Sequence, residues 1–424
     1  MSKQIQRHIY VYADWVGLSE PTLLGVLTAI PSRGKEIFSF EYDHHWLKNQ
    51  NAQNLDPSLQ LFEGAQYASN HQDNFGIFLD SSPDRWGRIL MRRREAQLAR
   101  EKGRKERQLL ESDYLLGVHD QHRMGGLRFR LSQDGPFLDN NNEYASPPLT
   151  FLRELEQASL ALEKDNADTQ PNYSKWLRML IAPGGSLGGA RPKASVIDTN
   201  HNLWIAKFPS KLDENDIGAW EMVVYELAKK ARVNMTEAGL MKFNNHHTFL
   251  SRRFDRTSDG KRIHFASAMT LLQRSDGDDA ASGVSYLDLA EFIMREGAEP
   301  NNDLEQLWRR IVFYICVSNV DDHLRNHGFL LKPHGWVLSP AFDINPVSQG
   351  RGLKLNVSET DNSQDLELAK EVAEYFRVKA NRSQGIIKEV IVAVKNWRKV
   401  ATKIGISLSE QNHMTEAFRV VENS

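Results

Sequence analysis

The chain has 424 residues, of which 40% are hydrophobic and 25% charged, and its formal net charge is -2. That length exceeds one ordinary hydrophobic core, so two or three packed units with room for a cleft are expected. The composition is that of a soluble globular protein and excludes a disordered or membrane-embedded class, and the small net charge points to no polyanionic partner for the whole molecule.

The opening stretch MSKQIQRHIYVYADW contains no apolar segment of signal-peptide length, and the run Ile311 to Val317 is too short to span a bilayer. Cys316 is the sole cysteine and lies inside that run, which excludes an internal disulfide and a zinc-thiolate cluster and reads as an inert core position. A cytoplasmic protein without membrane association is expected.

No repeat of solenoid period and no low-complexity tract interrupts the chain. Residues 8–30 alternate apolar and polar in places around turn residues Gly17 and Pro21, which predicts a hairpin. Residues 85–107 carry ten Arg or Lys against three Glu without a proline and predict a helix with a cationic surface. That surface reads either as a solvated face or as a contact for nucleic acid or an acidic partner. Residues 134–148 read as a loop before the helical pattern of residues 151–164. Strands are predicted for Leu203 to Phe208 and for residues 247–256, with a helix from Ile217 to Lys230 between them. Residues 286–296, 304–320 and 383–404 are then mainly helical. A mixed strand and helix half precedes a helical half, so the fold class is α+β.

Phosphoryl transfer asks a protein for positioning: a cation for the phosphates, oxygen ligands for magnesium, and a carboxylate to take the acceptor hydroxyl's proton. In SNVDDHLRNHGFLL, Asp321 stands five positions before Asn326, the offset between base and metal ligand in the protein-kinase catalytic loop. Asp343 follows in SPAFDIN between apolar neighbours. Magnesium takes hard oxygen ligands and shares them with substrate phosphates, so the amide of Asn326 and the carboxylate of Asp343 suffice. Taken alone this spacing is a weak signal, because Asp and Asn also populate turns.

Upstream, Lys207 sits among apolar residues in LWIAKFP, where a cation needs a counter-charge such as ATP phosphate. Its alternative is a lysine snorkelling from an edge strand. Glu221 opens a helix fourteen residues later, either as that lysine's partner or as a carboxylate favoured at a helix start. Residues 183–196, PGGSLGGARPKASV, place four glycines around Ser186, which suits a loop folding over phosphates as well as a tight structural turn. The Walker A spacing is absent.

These motifs, with FEYDHHWL, FGIFLDSSPDRWGRIL, DYLLGVHDQHRMGGLRF and FLSRRFDR, resemble the HipA family of bacterial toxin kinases in order and along nearly the whole chain. The resemblance implies a two-lobed protein-kinase-like fold. Residues 1–130 would form an N-terminal subdomain, 150–252 the rest of the N-lobe with the glycine-rich loop and the ATP lysine, and 253–424 a helical C-lobe. It implies ATP and Mg2+ as cofactors and phosphorylation of Ser or Thr on a protein of translation, such as an aminoacyl-tRNA synthetase. Asp321 would be the general base, Asn326 and Asp343 the magnesium ligands, and Lys207 the phosphate-binding lysine. Ser186, Leu187, Gly188 and Gly189 would form the phosphate loop, with Ser186 the serine of autophosphorylation. Arg252 and Phe254 would meet adenine, and His323 and Arg325 would lie in the catalytic loop near the nucleotide. The implied partner is a HipB-like helix-turn-helix antitoxin, through which operator DNA would be reached. The family pattern departs at Asp322, leaving two adjacent carboxylates, of which Asp321 keeps the five-residue offset.

A different class of function also fits: a catalytically quiet co-repressor acting with that antitoxin, its basic segment 85–107 near DNA. A small-molecule kinase is a third reading. The pairs His44-His45 and His246-His247 lack the helical spacing of a zinc site. Asp276, Asp278 and Asp279 lack the glycine and distal glutamate of a calcium loop and read as solvated.

Overall fold

Alternating apolar residues in Arg7–Ala13 (β1), Thr22–Ser32 (β2) and Lys35–Tyr42 (β3) build antiparallel strands with one buried face, on which Ile9, Val11, Leu27, Ala29, Phe38 and Phe40 lie in the core. The computed structural model describes residues 6–69, 72–141, 147–181, 189, 191–243 and 245–422. It divides into two compact units, residues 1–211 with 255–266 and residues 212–254 with 267–424.

In the first unit, β4 (Gln66–Tyr67) and β5 (Leu127–Arg130) complete a five-stranded sheet of order β4-β3-β2-β1-β5. The expected hairpin of residues 8–30 is β1 and β2. Gly25 is required by close approach, since a Cβ there would lie 2.2 Å from the Glu41 carbonyl oxygen and 2.6 Å from Phe40 Cζ. The α-helices of this unit among the described residues are α1 (His44–Leu47), α2 (Gly76–Asp80), α3 (Arg85–Glu101), α4 (Glu111–Leu116), α5 (Leu152–Leu162) and α6 (Tyr173–Ile181). The buried Arg123 guanidinium ties this unit together by donating to the carbonyls of Ser81, Leu115, Val118 and Leu138 at 2.8 to 3.0 Å. A second hairpin, β6 (Lys193–Ile197) and β7 (Leu203–Lys207), sets Lys193 directly opposite Lys207.

Helix α3 starts at Asp84, whose carboxylate accepts from the Gly87 amide at 2.8 Å, and ends at Glu101 rather than at residue 107, with Gly103 at φ 56°. Its cations are largely engaged within the unit. Arg88 makes a bidentate pair with Glu111 at 2.6 and 2.7 Å, and Arg104 one with Glu95 at 2.6 and 3.1 Å. Arg93 donates to the Leu162 carbonyl, Arg100 meets Asp168 and Arg107 meets Asp113. At least half of the ten basic residues between 85 and 107 are therefore bound to partners, which breaks up the cationic surface suggested by the sequence.

The second unit contains α7 (Ile217–Lys230) and the hairpin β8 (Ala238–Phe243) and β9 (His246–Arg252). After a short strand, β10 (Phe265–Ser267), come α8 (Ala268–Leu271), α9 (Tyr286–Glu296) and α10 (Pro300–Val317). The hairpin β11 (Gly328–Lys332) and β12 (Gly335–Leu338) precedes α11 (Leu366–Glu371), α12 (Ala380–Val394) and α13 (Trp397–Ile404). Residues 383–404 are mainly helical, as expected, and belong to two helices. Asn396 turns its amide back onto the Val392 carbonyl at 2.8 Å, the local side-chain bond that competes with helix continuation. Pro300 opens α10 at the first helical position, where a missing N–H costs nothing. Its last turns, Ile311 to Val317, are wholly buried, and burial pushes the Cys316 thiol far up, in keeping with an inert core residue. Among the described residues no helix is long and apolar enough to cross a membrane.

Candidate active site

Helix α10 ends at Ser318, which takes the left-handed conformation at φ 50° and turns the chain into the segment Asn319 to His327. The segment is closed by its own hydrogen bonds. The His323 amide donates to the Asp321 carbonyl at 2.9 Å, and the Asn326 amide to the His323 carbonyl at 2.8 Å. Leu324–Asn326 form a single 3-10 turn. The side chain of Asn326 then donates through Nδ2 to the Asp321 carbonyl at 3.1 Å.

The two adjacent aspartates differ sharply. Asp321 is exposed, while Asp322 points inward with its side chain 1% accessible. Its Oδ2 accepts from the Tyr286 phenol at 2.7 Å and from His327 Nε2 at 2.6 Å. Burial and the adjacent Asp322 charge push the Tyr286 hydroxyl well above its usual range, so it remains a donor. Asp322 is therefore not a solvent-facing carboxylate.

Asn326 is buried, and its Oδ1 has no hydrogen-bond partner among the described residues. A buried acceptor left unfilled costs about 1–3 kcal/mol. With Nδ2 committed to the Asp321 carbonyl, that oxygen is held available for a ligand, and a hard cation suits it. Asp343 follows the β11–β12 hairpin. It adopts φ 57°, a left-handed conformation unusual for a residue other than glycine and a kind of backbone strain that gathers at functional sites. Asn345 connects it to the loop: its amide donates to Asn319 Oδ1 at 3.1 Å, and its Nδ2 donates to Asp343 Oδ1 at 3.4 Å. Asn326 and Asp343 are thus an amide and a carboxylate on one hydrogen-bonded framework, a donor set that fits magnesium.

The buried Glu221 of α7 and Asp343 line one narrow crevice together with Phe249 and Phe342. Phe254 packs on Phe342 with ring centroids 5.3 Å apart. Arg252 lies 3.2 Å from Glu237. Arg325 lies 3.8 Å from Asp276 and directs Nε toward the Met269 sulfur at 3.5 Å. His323 caps the 3-10 turn, and its Nδ1 is buried without a hydrogen-bond partner among the described residues. These positions all belong to the second unit.

Lys207 and Gly189 lie in the first unit, Lys207 half-buried at the end of β7 and Gly189 exposed at φ 70°. Ser186, Leu187 and Gly188 lie outside the described residues. A cation that the sequence reading passed over is Lys193, opposite Lys207. It is buried and paired with Asp84 at 2.9 Å, both side chains being at most 3% accessible, and its Nζ also reaches the Gly189 carbonyl at 3.4 Å. Nothing in the spacing of residues 84 and 193 foretells that pair. Asp278 accepts from the Ser275 amide, and Asp279 caps a turn and pairs with Lys354, so both serve local structure. Among the described residues no group of three or more His, Cys, Asp or Glu could hold a metal ion.

A relative from Haemophilus influenzae named "Putative kinase" is 27% identical over 184 residues, covering 39% of this chain. The match spans about half of that relative's length, 53%. Among solved structures, the HipA chain of the Shewanella oneidensis toxin-antitoxin complex of HipA, HipB and operator DNA superposes with a TM-score of 0.65. That match is 16% identical and covers 98% of this chain and 97% of the other. The fold is accordingly α+β and of the kinase-like HipA kind, as expected from the sequence. The model of the HipA-like C-terminal domain matches residues 185–398, half of the chain and all of the loop from Asp321 to Asp343. This protein belongs to the HipA family.

Proposed function

We propose that this protein is an ATP-dependent serine/threonine protein kinase of the HipA toxin type. The observation that carries the reading is the pairing of an exposed Asp321 with the buried, unfilled Oδ1 of Asn326, held together by the Asn326 Nδ2 bond to the Asp321 carbonyl. Asp321 is the base: the acceptor hydroxyl oxygen bonds to the γ-phosphorus, the bond to the β,γ-bridging oxygen breaks, ADP leaves, and the hydroxyl proton passes to the Asp321 carboxylate. Asn326 and Asp343 hold magnesium, which when bound offsets the charge of the nucleotide phosphates. Lys207 and the segment Ser186 to Gly189 bind those phosphates. Arg252, Phe254, His323 and Arg325 contact the nucleotide. The burial of Asp322 between Tyr286 and His327 supports Asp321 over its neighbour as the base.

The wider reading is a toxin that phosphorylates a translation protein in the cytoplasm, autophosphorylates on Ser186 and is restrained by a HipB-like antitoxin that carries operator contacts. The named complex of the structural relative supports the antitoxin. The subdomain division at residues 1–130, 150–252 and 253–424 belongs to the same reading. The internal ion pairs of α3 speak against the co-repressor alternative that placed this helix near DNA.

Purified protein with magnesium and radiolabelled ATP tests the reading. Wild type labels itself or a protein acceptor, and Asp321→Ala reduces labelling by at least ~100-fold, the typical contribution of a general base. Full labelling in that variant removes Asp321 as the base, and a wild type that neither binds ATP nor labels any protein removes the kinase reading.

A further inference from the structure

The segment between Asp321 and Asn326 is laced twice, and each lace spans five residues. One lace is the Asn326 Nδ2 bond to the Asp321 carbonyl at 3.1 Å. The other runs one residue further on, from His327 Nε2–H to Asp322 Oδ2 at 2.6 Å. The proposed base and the proposed magnesium ligand each precede, by one residue, a member of this inner pair.

From these observations we infer that Asp322 is a positioning residue, a buried carboxylate that sets the distance and orientation of Asp321 and Asn326 from beneath the loop. This inference rests on the kinase reading of the same site. The geometry gives the carboxylate three attachments. Its Oδ2 takes the Tyr286 phenol at 2.7 Å, which anchors the loop to the first residue of α9. The same oxygen takes the imidazole of His327, whose carbonyl in turn accepts from the Ala268 amide at 2.8 Å, at the start of α8. The third is electrostatic and weaker: the buried Arg310 guanidinium of α10, which donates to the Ser339 carbonyl, interacts with the Asp322 charge as well as with Tyr314 and Asp303.

Helix α9 thus holds the carboxylate directly and α8 holds it through the backbone of His327, with Tyr286 in edge contact with the His327 ring at 5.8 Å. A carboxylate in this place cannot serve as the base, since its side chain is 1% accessible and bonded to two donors. It can fix the backbone on which the base and the metal ligand ride. Misplacing reacting groups by about 1 Å costs on the order of 100-fold in rate.

An amide at this position can accept both bonds through Oδ1, so Asp322→Asn keeps the lacing and loses only the charge, whereas Asp322→Ala loses both. The test compares these with Asp321→Ala in full-length protein, measuring labelling rate, the magnesium concentration for half-maximal rate, and the melting temperature that gives the folded fraction at assay temperature. Expected are a fall in kcat of ~100-fold and a rise of ~10-fold in half-maximal magnesium for Asp322→Ala per folded molecule, with Asp322→Asn within ~10-fold of wild type in kcat. If Asp322→Ala does not fold, Tyr286→Phe, which removes one attachment, is expected to raise half-maximal magnesium while leaving the melt intact. Equal loss in the Ala and Asn variants with unchanged magnesium dependence overturns the positioning role in favour of a chemical one. Unchanged rate and magnesium dependence per folded molecule reduces Asp322 to a stability residue. A wild type without activity removes the kinase reading itself, and the positioning role with it, whereas an active wild type with an indifferent Asp322 removes only the latter.

Discussion

Asp303, in the first turn of α10, offers a quantitative test of how the second unit is held together. Its side chain is buried, and Oδ2 accepts from the Leu338 amide at 2.8 Å, joining α10 to the β11–β12 hairpin. Burial raises its pKa to about 6, against the opposing Leu338 bond and the nearby Arg310 charge. With a folded pKa above the unfolded value, the native state binds more protons between about pH 4 and 6. Stability from this group is therefore present below about pH 4 and lost as the pH rises through 6. The shift corresponds to at most about 3 kcal/mol at neutral pH, and screening near the helix start reduces this to roughly 1–2 kcal/mol. Asp303→Asn keeps an acceptor for the Leu338 amide and discards the charge. Calorimetry of the full chain from pH 4 to 7.5 should show no gain at pH 4 and a gain at pH 7.5. For a unit of this size the gain is ~2–8 °C in the transition reporting on the second unit. An offset independent of pH, or a variant less stable than wild type at pH 7.5, would refute the reasoning.

The buried pair Lys193 and Asp84 has a different signature. Lys193→Met leaves a buried carboxylate without its cation and should cost roughly 3–5 kcal/mol of first-unit stability. Adding Asp84→Asn, which keeps the α3 cap on the Gly87 amide, should recover part of that in urea titrations, and a double variant as unstable as the sum of both singles would contradict the pairing. Gly25→Ala should prevent close packing of β2 on β3 and lower the first-unit melting temperature by many degrees, because the added Cβ meets backbone at 2.2 Å. A variant melting with wild type would show that the strands can separate at little cost.

Much of the fold was readable because local patterns carry it. The strand alternation of β1 to β3, the capped helices α7 and α9 and the apolar end of α10 each follow from residues close in sequence. Local pattern does not carry the outcome where a neighbour outside it decides. The basic run from residue 85 resembled an open cationic surface, yet Glu111, Asp168 and Glu95 take up several of its arginines. The break between α12 and α13, at which Asn396 turns back on Val392, has no mark in the helical pattern of residues 383–404. The candidate site was legible as spacing and resemblance, since Asp321, Asn326 and Asp343 fall in one short stretch. Lys193 was overlooked because its partner lies 109 residues away.

The sequence by itself determined the family, the α+β class and the loop from Asp321 to Asn326, because each rests on residue types at short fixed offsets. Only the tertiary structure gives the two aspartates of that loop different surroundings. They are chemically identical and adjacent, and what separates them is that the start of α9 and the residue before β11 bring Tyr286 and His327 to Asp322, while Asp321 is left in solvent.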